Sequence, residues 1–167
     1  QGAALNAKDA AIFVRLGEDA AQRYLFEESA AYFRRALVSD AESWSAAAGL
    51  GTSLSRLGRK DEAKIHLDKA FPHDPFNVVV GNLLNLFDEM AKYDTLRTRH
   101  FLLRMRPEDK AVIGETAAAL CEAAYENMAP RYGVRFAAPV AVEIFPKHDD
   151  FAVRCFGLPG AEFFLGI

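Results

Sequence analysis

The sequence is poor in the residues that small chains use to reinforce a fold. It has two cysteines among 167 residues, too few for a disulfide framework or a four-ligand zinc site. Cys121 and Cys155 each lie in an apolar stretch, so we expect both to be buried thiols without a reactive role. Stability must then come from a packed core, for which a hydrophobic fraction of 51% is sufficient.

An excess of positive charge and a long apolar run are also missing. The net charge is −3 and the pI is near 5.8, whereas phosphate binding usually comes with a basic excess, so nucleic acid is not an expected partner. No apolar run is long enough to cross a bilayer, and Gln1 does not open a recognisable secretory signal. We expect a soluble, processed or trimmed chain, in a compartment that the sequence does not indicate.

Catalytic and metal-binding patterns are lacking as well. The sequence has four histidines, His66, His73, His100 and His148. No two of them stand at the i, i+4 spacing of a helical zinc pair, and no G-x-S-x-G nucleophile elbow occurs. His148-Asp149-Asp150 is interpreted as a helix start, with a metal or acid–base cluster as the alternative. We therefore expect no catalytic residue, metal or cofactor within this chain.

The sequence does contain an internal repeat. Similar residues recur 34 positions apart: Leu16-Gly17 and Leu50-Gly51, Phe33 and Leu67, Ala36-Leu37 and Ala70-Phe71, Asp40 and Asp74. A period of about 34 residues is that of the tetratricopeptide repeat, a pair of packed helices. In such a pair the small residues Gly17 and Gly51 would let the helix backbones approach, and Phe33 and Leu67 would fill the space between them.

Two copies resemble the tetratricopeptide pattern. The second reads Ala47-x₂-Leu50-Gly51-x₂-Leu54, then Ala63-x₃-Leu67, then Pro75; the first reads Phe13-x₂-Leu16-Gly17-x₂-Ala20, then Ser29-x₃-Phe33, then Ala41. Gly58 fits the end of a helix. The resemblance implies all-α helical hairpins over residues 1–91, with repeats at about 10–43 and 44–77 and a capping helix at 78–91. A third copy begins at Gly81 and is lost where Arg97 replaces a small residue.

Residues 92–167 predict a different, α+β segment. The alternation of Phe101, Leu103 and Met105 predicts a strand, paired in a hairpin with residues 94–98. A long helix follows from Pro107 to just before Tyr132, and then a short strand over residues 140–145. The predicted buried positions of these two elements are Ile113, Ala117, Leu120, Ala124 and Met128 of the helix, and Val140, Val142 and Ile144 of the strand. Because the chain stops inside an apolar run, residues 163–167, we expect this domain to be incomplete.

The same segment resembles the beginning of a peptidase MA-like (gluzincin) zinc metallopeptidase domain, which some bacterial proteins place behind tetratricopeptide repeats. The resemblance is carried by residues 98–104, by residues 142–146, and by Asp149-Asp150-Phe151 followed by Gly157-Leu158-Pro159-Gly160. It implies that zinc and its His-Glu-x-x-His ligands belong to a longer parent, beyond Ile167, so no catalytic residue is carried over. Whether the parent protein is an enzyme stays open.

The concave face of the helical repeats is the expected binding surface. By repeat position it should contain Val14, Arg15, Glu18, Ser45, Ala48, Thr52, Ser55, Arg56 and Asn82. Ala48 and Thr52 stand where a carboxylate-binding clamp would need long polar side chains, which argues against that binding mode. The expected partner is a protein or peptide segment, or the neighbouring domain of the same chain. The sequence thus favours a non-catalytic protein–protein interaction scaffold, with the fragment of a zinc metallopeptidase as the alternative.

Overall fold

A computed structural model describes the backbone of residues 2–160 and the side chains of residues 9–160. Within that range the chain is mostly helical, with one small sheet, which confirms an α-rich protein with a small β segment. The elements, in chain order, are α1 Gly2–Gln22, α2 Phe26–Ser39, α3 Trp44–Arg56, α4 Lys60–Ala70, a 3₁₀ helix Phe71–His73, α5 Val78–Met90, β1 Asp94–Arg97, β2 Phe101–Met105, α6 Pro107–Tyr132, β3 Val140–Glu143 and α7 His148–Phe156. The apolar run at residues 163–167 lies outside the described residues.

The described residues form two compact units. The first unit comprises residues 2–87 and Ala152–Pro159, and the second comprises Asp88–Phe151 and Gly160. The sequence placed its boundary between residues 91 and 92 and assigned all later residues to the second part. The structure differs at residues 152–159, which it groups with the helices of the first unit.

The helices of the first unit pack in the order of the chain. α1 packs against α2, α2 against α3, and α3 against α4. Two of their boundaries recur at one spacing, since α1 and α3 end at Gln22 and Arg56 and α2 and α4 begin at Phe26 and Lys60, each pair 34 residues apart. The periodicity found in the side chains is therefore also present in the helix ends.

The ends of α1 and α3 share one hydrogen-bonded turn. After α3, Gly58 adopts a left-handed conformation with φ +75°, and the N–H groups of Gly58 and Arg59 donate to the carbonyl groups of Ser55 and Leu54. After α1 the equivalent position is held by Tyr24, with φ +61°, and the N–H groups of Tyr24 and Leu25 donate back into α1 in the same way. The first turn thus holds a tyrosine in a conformation that normally favours glycine.

Glycines bring the helices of the first unit close together. A Cβ atom added at Gly17 would lie 2.9 Å from the Phe33 ring, and one at Gly51 would lie 2.6 Å from the Leu67 side chain. Both contacts were expected from the repeat. A third was not, because a Cβ at Gly49 would lie 2.3 Å from Phe33. The ring of Phe33, which is 3% exposed, is therefore held against glycines of both α1 and α3.

Two buried serines join the same three helices. Ser29 Oγ on α2 lies 2.8 Å from the carbonyl oxygen of Gly17 and 2.8 Å from Ser53 Oγ, and Ser53 Oγ lies 2.9 Å from the carbonyl oxygen of Gly49. The hydroxyl groups of Ser29 and Ser53 thus share two protons among these three short oxygen–oxygen contacts. α4 has Ala63 at the position of Ser29, so it cannot form an equivalent polar link.

The second unit is built on a three-stranded sheet in the order β1-β2-β3. β1 pairs antiparallel with β2, with Asp94 opposite Met105, which confirms the predicted hairpin. β3 pairs parallel with β2, so α6 forms a crossover between parallel strands, which the sequence did not predict. The core consists of Phe101, Leu103, Met105 and Ala118.

The buried face of α6 differs from the prediction. Gly114 and Ala118 are buried, and Ala117, Cys121 and Tyr125 pack against the core. Ile113, Leu120 and Met128 are instead exposed, by 42%, 66% and 52%. Small residues face the sheet because the helix lies close to it, which apolar periodicity alone does not reveal. On β3, Val142 and Ile144 pack against the core as predicted, but Val140 is 40% exposed.

Replacing Tyr24 with glycine should stabilise the protein. The left-handed conformation costs a residue with a Cβ atom about 1–2 kcal/mol. Glycine has more conformational freedom in the unfolded chain, which offsets about half of the stability gained by removing this strain. Tyr24 is 80% exposed, and the ring contact that it would lose is an edge contact with Phe26 at 6.0 Å. We expect the free energy of unfolding, measured by urea denaturation, to rise by about 0.5–1 kcal/mol.

The reciprocal change at the equivalent turn is the control. No atom lies within 4 Å of a Cβ added at Gly58, so Gly58→Ala should introduce backbone strain without a clash. We expect it to lower the free energy of unfolding by about 1 kcal/mol. Effects of the same sign in both variants would show that the left-handed conformation is not what sets the stability of these turns.

Replacing Gly49 with alanine should destabilise the first unit. A Cβ atom 2.3 Å from the Phe33 ring forces a rearrangement of a packed core. Overpacking costs about 1–3 kcal/mol, and the higher helix propensity of alanine offsets up to about 1 kcal/mol, so a net loss of about 1–2 kcal/mol is expected in urea denaturation.

A double-mutant cycle identifies the contact responsible. In the presence of Phe33→Leu, the loss caused by Gly49→Ala should shrink, because the smaller side chain leaves room for the new methyl group. Gly81→Ala, whose Cβ would meet Phe71 at 3.2 Å, is the milder control. Strictly additive effects of Gly49→Ala and Phe33→Leu would contradict a direct contact between residues 33 and 49.

Candidate functional site

The first unit contains an open groove of about 600 Å³. Its lining residues come from the first five helices and the turn after α4: Glu18, Ala21, Gln22, Phe26, Phe33, Trp44, Ser45, Ala48, Gly49, Thr52, Ser53, Ala70, Phe71, Asp74, Asn77, Val79 and Val80. Ala48 has a short side chain at a position of α3 where a longer one would extend into the groove. Ligand-binding clefts typically have volumes of about 300–1,000 Å³, so this groove is large enough for several side chains of a partner.

Four of the predicted concave-face residues line this groove, namely Glu18, Ser45, Ala48 and Thr52. Val14 and Arg15 are not among the lining residues. Arg15 is 85% exposed, and its guanidinium lies 3.6 Å from the Glu18 carboxylate at the surface. Of the three residues predicted on α1, the structure places Glu18 in the groove and Val14 and Arg15 outside its lining.

Ser55, Arg56 and Asn82 lie against the chain itself. Arg56 donates to the carbonyl oxygen of Arg154 at 2.7 Å, and Asn82 donates to that of Gly157 at 3.0 Å. In return Arg154 donates to the carbonyl oxygen of Ser55 at 2.9 Å. These three predicted residues therefore contact residues 152–159 of the same unit.

The contact with residues 152–159 is close and partly desolvated. Gly157 has φ +81°, and a Cβ there would lie 2.6 Å from Val79 on α5. Burial, followed by the positive charge of Arg154, lowers the pKa of Arg56 from its ordinary value. Ser55 is 1% exposed, and its hydroxyl has no hydrogen-bond partner among the described residues.

Aromatic residues form much of the open groove, and the repeat pattern did not identify them. Phe26, Trp44 and Phe71 line it together with Phe33. The Trp44 ring stacks on His73 at 3.6 Å with an interplanar angle of 6°, which fixes the indole between the start of α3 and the 3₁₀ helix. An aromatic residue at a helix start was the signal, but which cavity it faces depends on the packing of the helices.

The charges in the groove are of one sign. Glu18 and Asp74 supply carboxylates, and among the lining residues that the structure describes there is no lysine, arginine or histidine. The neutral polar side chains in the lining are Gln22, Ser45, Thr52, Ser53 and Asn77. Thr52 and Ser53 donate their hydroxyl protons to carbonyl groups of α3 itself. The groove therefore combines two carboxylates, neutral polar groups and apolar surface, without a basic side chain among its described lining residues.

The second unit contains a compact polar cluster around Glu122 of α6. One carboxylate oxygen accepts from Thr98 Oγ1 at 2.5 Å and from the His100 N–H at 2.8 Å; the other lies 2.6 Å from His100 Nδ1. The Tyr125 ring stacks on His100 at 3.9 Å. The hydrogen bond from Thr98, followed by that from His100, lowers the pKa of Glu122 to about 2. The cluster ties the turn between β1 and β2 to α6.

A small apolar cavity of about 270 Å³ lies beside this cluster. It is lined by Phe101, Ala124, Tyr125, Met128, Ala129, Tyr132, Val134 and Phe136. Tyr125 is shared between the cavity and the stack on His100. Among the described residues, the hydrogen-bond partner of the His100 ring is the Glu122 carboxylate, and the Thr98 hydroxyl also bonds to Glu122 and not to His100. Because this arrangement does not pair a nucleophile with a base, we assign the cluster a structural role.

Metal chemistry has no candidate in the described part of the chain. No group of three or more His, Cys, Asp or Glu side chains there is placed to hold a metal ion. His148-Asp149-Asp150 begins α7, with both acids in its first turn, which confirms the interpretation as a helix start. Cys121 and Cys155 are half-buried, more exposed than expected. The zinc metallopeptidase hypothesis places its ligands beyond Ile167 and stays a prediction.

In comparisons with known proteins, no family model, curated protein or solved structure matches the chain. Across residues 2–160, none of the helices combines the length and the apolar character needed to span a membrane.

Acid should weaken the second unit through Glu122. Its pKa is lowered from 4.5 to about 2, so the ionised carboxylate contributes stability above pH 4.5, and that contribution is lost as the pH falls from 4.5 to about 2. We expect Glu122→Gln to lower the free energy of unfolding at neutral pH and to flatten its decrease across this window. Urea denaturation at a series of pH values, followed by circular dichroism, measures both effects.

Glu115→Gln is the matched control, since Glu115 is exposed on the same helix. Its pH profile should run parallel to that of the unsubstituted protein. A parallel profile for Glu122→Gln as well would mean that the cluster does not contribute to acid sensitivity.

Proposed function

We propose that the first unit is a tetratricopeptide array that binds an extended segment of a partner protein in its open groove, and that this chain acts as a non-catalytic interaction scaffold. The observation that carries the proposal is the groove of about 600 Å³, set among two helix pairs whose connecting turns recur at 34 residues. Two helix pairs and a following helix, α5, supply its walls.

The packing inside each helix pair supports the assignment to this repeat class. Gly17 meets Phe33 in the first pair and Gly51 meets Leu67 in the second, at positions 34 residues apart. A shared period in side chains, helix ends and turns is the expected signature of stacked repeats, in which each unit contacts mainly its neighbours. The left-handed turns at Tyr24 and Gly58 add a third feature with the same spacing.

The way this unit holds residues 152–159 supports peptide binding. Arg56 and Asn82 donate to main-chain carbonyl groups of that segment, at Arg154 and Gly157. Hydrogen bonds to main-chain atoms hold a segment whatever its side chains, whereas pockets for side chains supply specificity. The helices thus already bind one segment of chain, while the part lined by Glu18, Ser45, Ala48 and Thr52 is open.

Filling the groove should abolish binding. Ala48→Arg places a long side chain in the open part, whereas Ala31→Arg adds the same side chain at an exposed position of α2 that does not line the groove. The full chain would be used to select peptides from a random-sequence display library, and enriched peptides would be synthesised and titrated by calorimetry. We expect Ala48→Arg to weaken binding by at least about tenfold, a change of about 1.4 kcal/mol, and Ala31→Arg to leave it unchanged.

Circular dichroism of both variants shows whether each retains the helical fold, so that weaker binding is not mistaken for unfolding. The proposal is contradicted if no peptide is enriched over a blank surface, or if the enriched peptides bind the Ala48→Arg and Ala31→Arg variants equally well. Amide chemical shift changes confined to residues distant from Ala48 and Thr52 would argue against it as well.

A further inference from the structure

We propose that the segment bound in this groove is cationic and apolar, carrying lysine or arginine side chains beside aliphatic or aromatic ones. This inference rests on the proposed function and names the chemistry of the partner. It is carried by the charges and the walls of the groove, which together select against acidic segments.

The two carboxylates of the groove are available to a cation. The Glu18 side chain is 48% exposed, and its ion pair with Arg15 is long, at 3.6 Å, with Arg15 85% exposed. Such exposed pairs contribute little, so a cation on a partner could replace Arg15 without much cost. Asp74 forms no ion pair with any residue that the structure describes, and the turn in which it lies follows the 3₁₀ helix.

The walls between these carboxylates suit the stem of a long basic side chain and its apolar neighbours. Phe26, Phe33, Trp44 and Phe71 all line the groove. Lysine and arginine bury their methylene groups along apolar surface while the charged end reaches a carboxylate, and aromatic faces attract cations. Trp44 is held in place by its stack on His73, so the groove presents this ring without further ordering.

An acidic segment would find few partners in the same place. The lining contains no basic side chain within the described range, and Thr52 and Ser53 use their hydroxyl protons on α3 carbonyl groups. A carboxylate entering here would lose water and face Glu18 and Asp74, and no basic side chain of the described lining would compensate its charge. The absence of long polar side chains at Ala48 and Thr52 points the same way.

The experiment compares three synthetic peptides derived from one groove-binding peptide of the library selection. Its charged positions are made all lysine, all glutamine or all glutamate, and its apolar positions are kept. Each is titrated against the full chain, against the double variant Glu18→Gln/Asp74→Asn, and against the control Glu28→Gln/Asp61→Asn. The control removes the same two charges at exposed positions outside the groove.

We expect the lysine peptide to bind the unsubstituted chain about tenfold more tightly than the glutamine peptide, and the glutamate peptide to bind most weakly. Glu18→Gln/Asp74→Asn should remove the preference for lysine, and Glu28→Gln/Asp61→Asn should retain it. Raising the ionic strength from about 0.01 M to about 1 M should also reduce the preference, because the screening length falls from about 30 Å to about 3 Å.

The outcomes separate this inference from the function on which it rests. Equal binding of the three peptides, tighter binding of the glutamate peptide, or a lysine preference that survives Glu18→Gln/Asp74→Asn would overturn the cationic assignment. In each case, if Ala48→Arg still weakens peptide binding, the proposed scaffold function is still supported. A selection that yields no groove-binding peptide would remove both.

Discussion

Phe33 lies against two glycines, Gly17 on α1 and Gly49 on α3, and this contact sets how closely three helices approach. A methyl group at either glycine would enter the space of the ring, so the helices can keep their separation only while both positions lack a side chain. The buried link between Ser29 and Ser53 crosses the same layer. Phe33 and Gly49 also line the groove, so the contact that packs the helices forms part of the candidate binding surface.

The first unit uses the residues predicted to bind a partner in two ways. Arg56 and Asn82 hold residues 152–159 by hydrogen bonds to main-chain oxygens, while Glu18, Ala48 and Thr52 line an open space. A surface that already binds the end of α7 and the turn after it through main-chain oxygens, and leaves aromatic walls and two carboxylates uncovered, is suited to a second segment with apolar and basic side chains. In the second unit, the Glu122 carboxylate connects the turn between β1 and β2 to α6. The same hydrogen bonds, from Thr98 and His100, lower the pKa of Glu122.

Much of the architecture could be predicted because its causes are local. The 34-residue recurrence, Gly58 at a helix end, Pro107 at a helix start and the alternation of β2 each depend on neighbours a few residues away. Burial on α6 was predicted poorly, since apolar periodicity favoured Leu120 and Met128 while the sheet packs on Gly114 and Ala118. Close helix–sheet contact selects small residues, and composition does not distinguish them from exposed alanines.

The sequence by itself determined the helix pairs, the hairpin and the contacts of Gly17 with Phe33 and of Gly51 with Leu67, because repetition and periodicity encode which faces of neighbouring elements must meet. Tertiary structure alone decided that Gly49 also meets Phe33, that β3 runs parallel to β2, and that residues 152–159 contact Arg56 and Asn82. These features join residues far apart in the chain, and their geometry depends on the packing of whole elements, which no local pattern records.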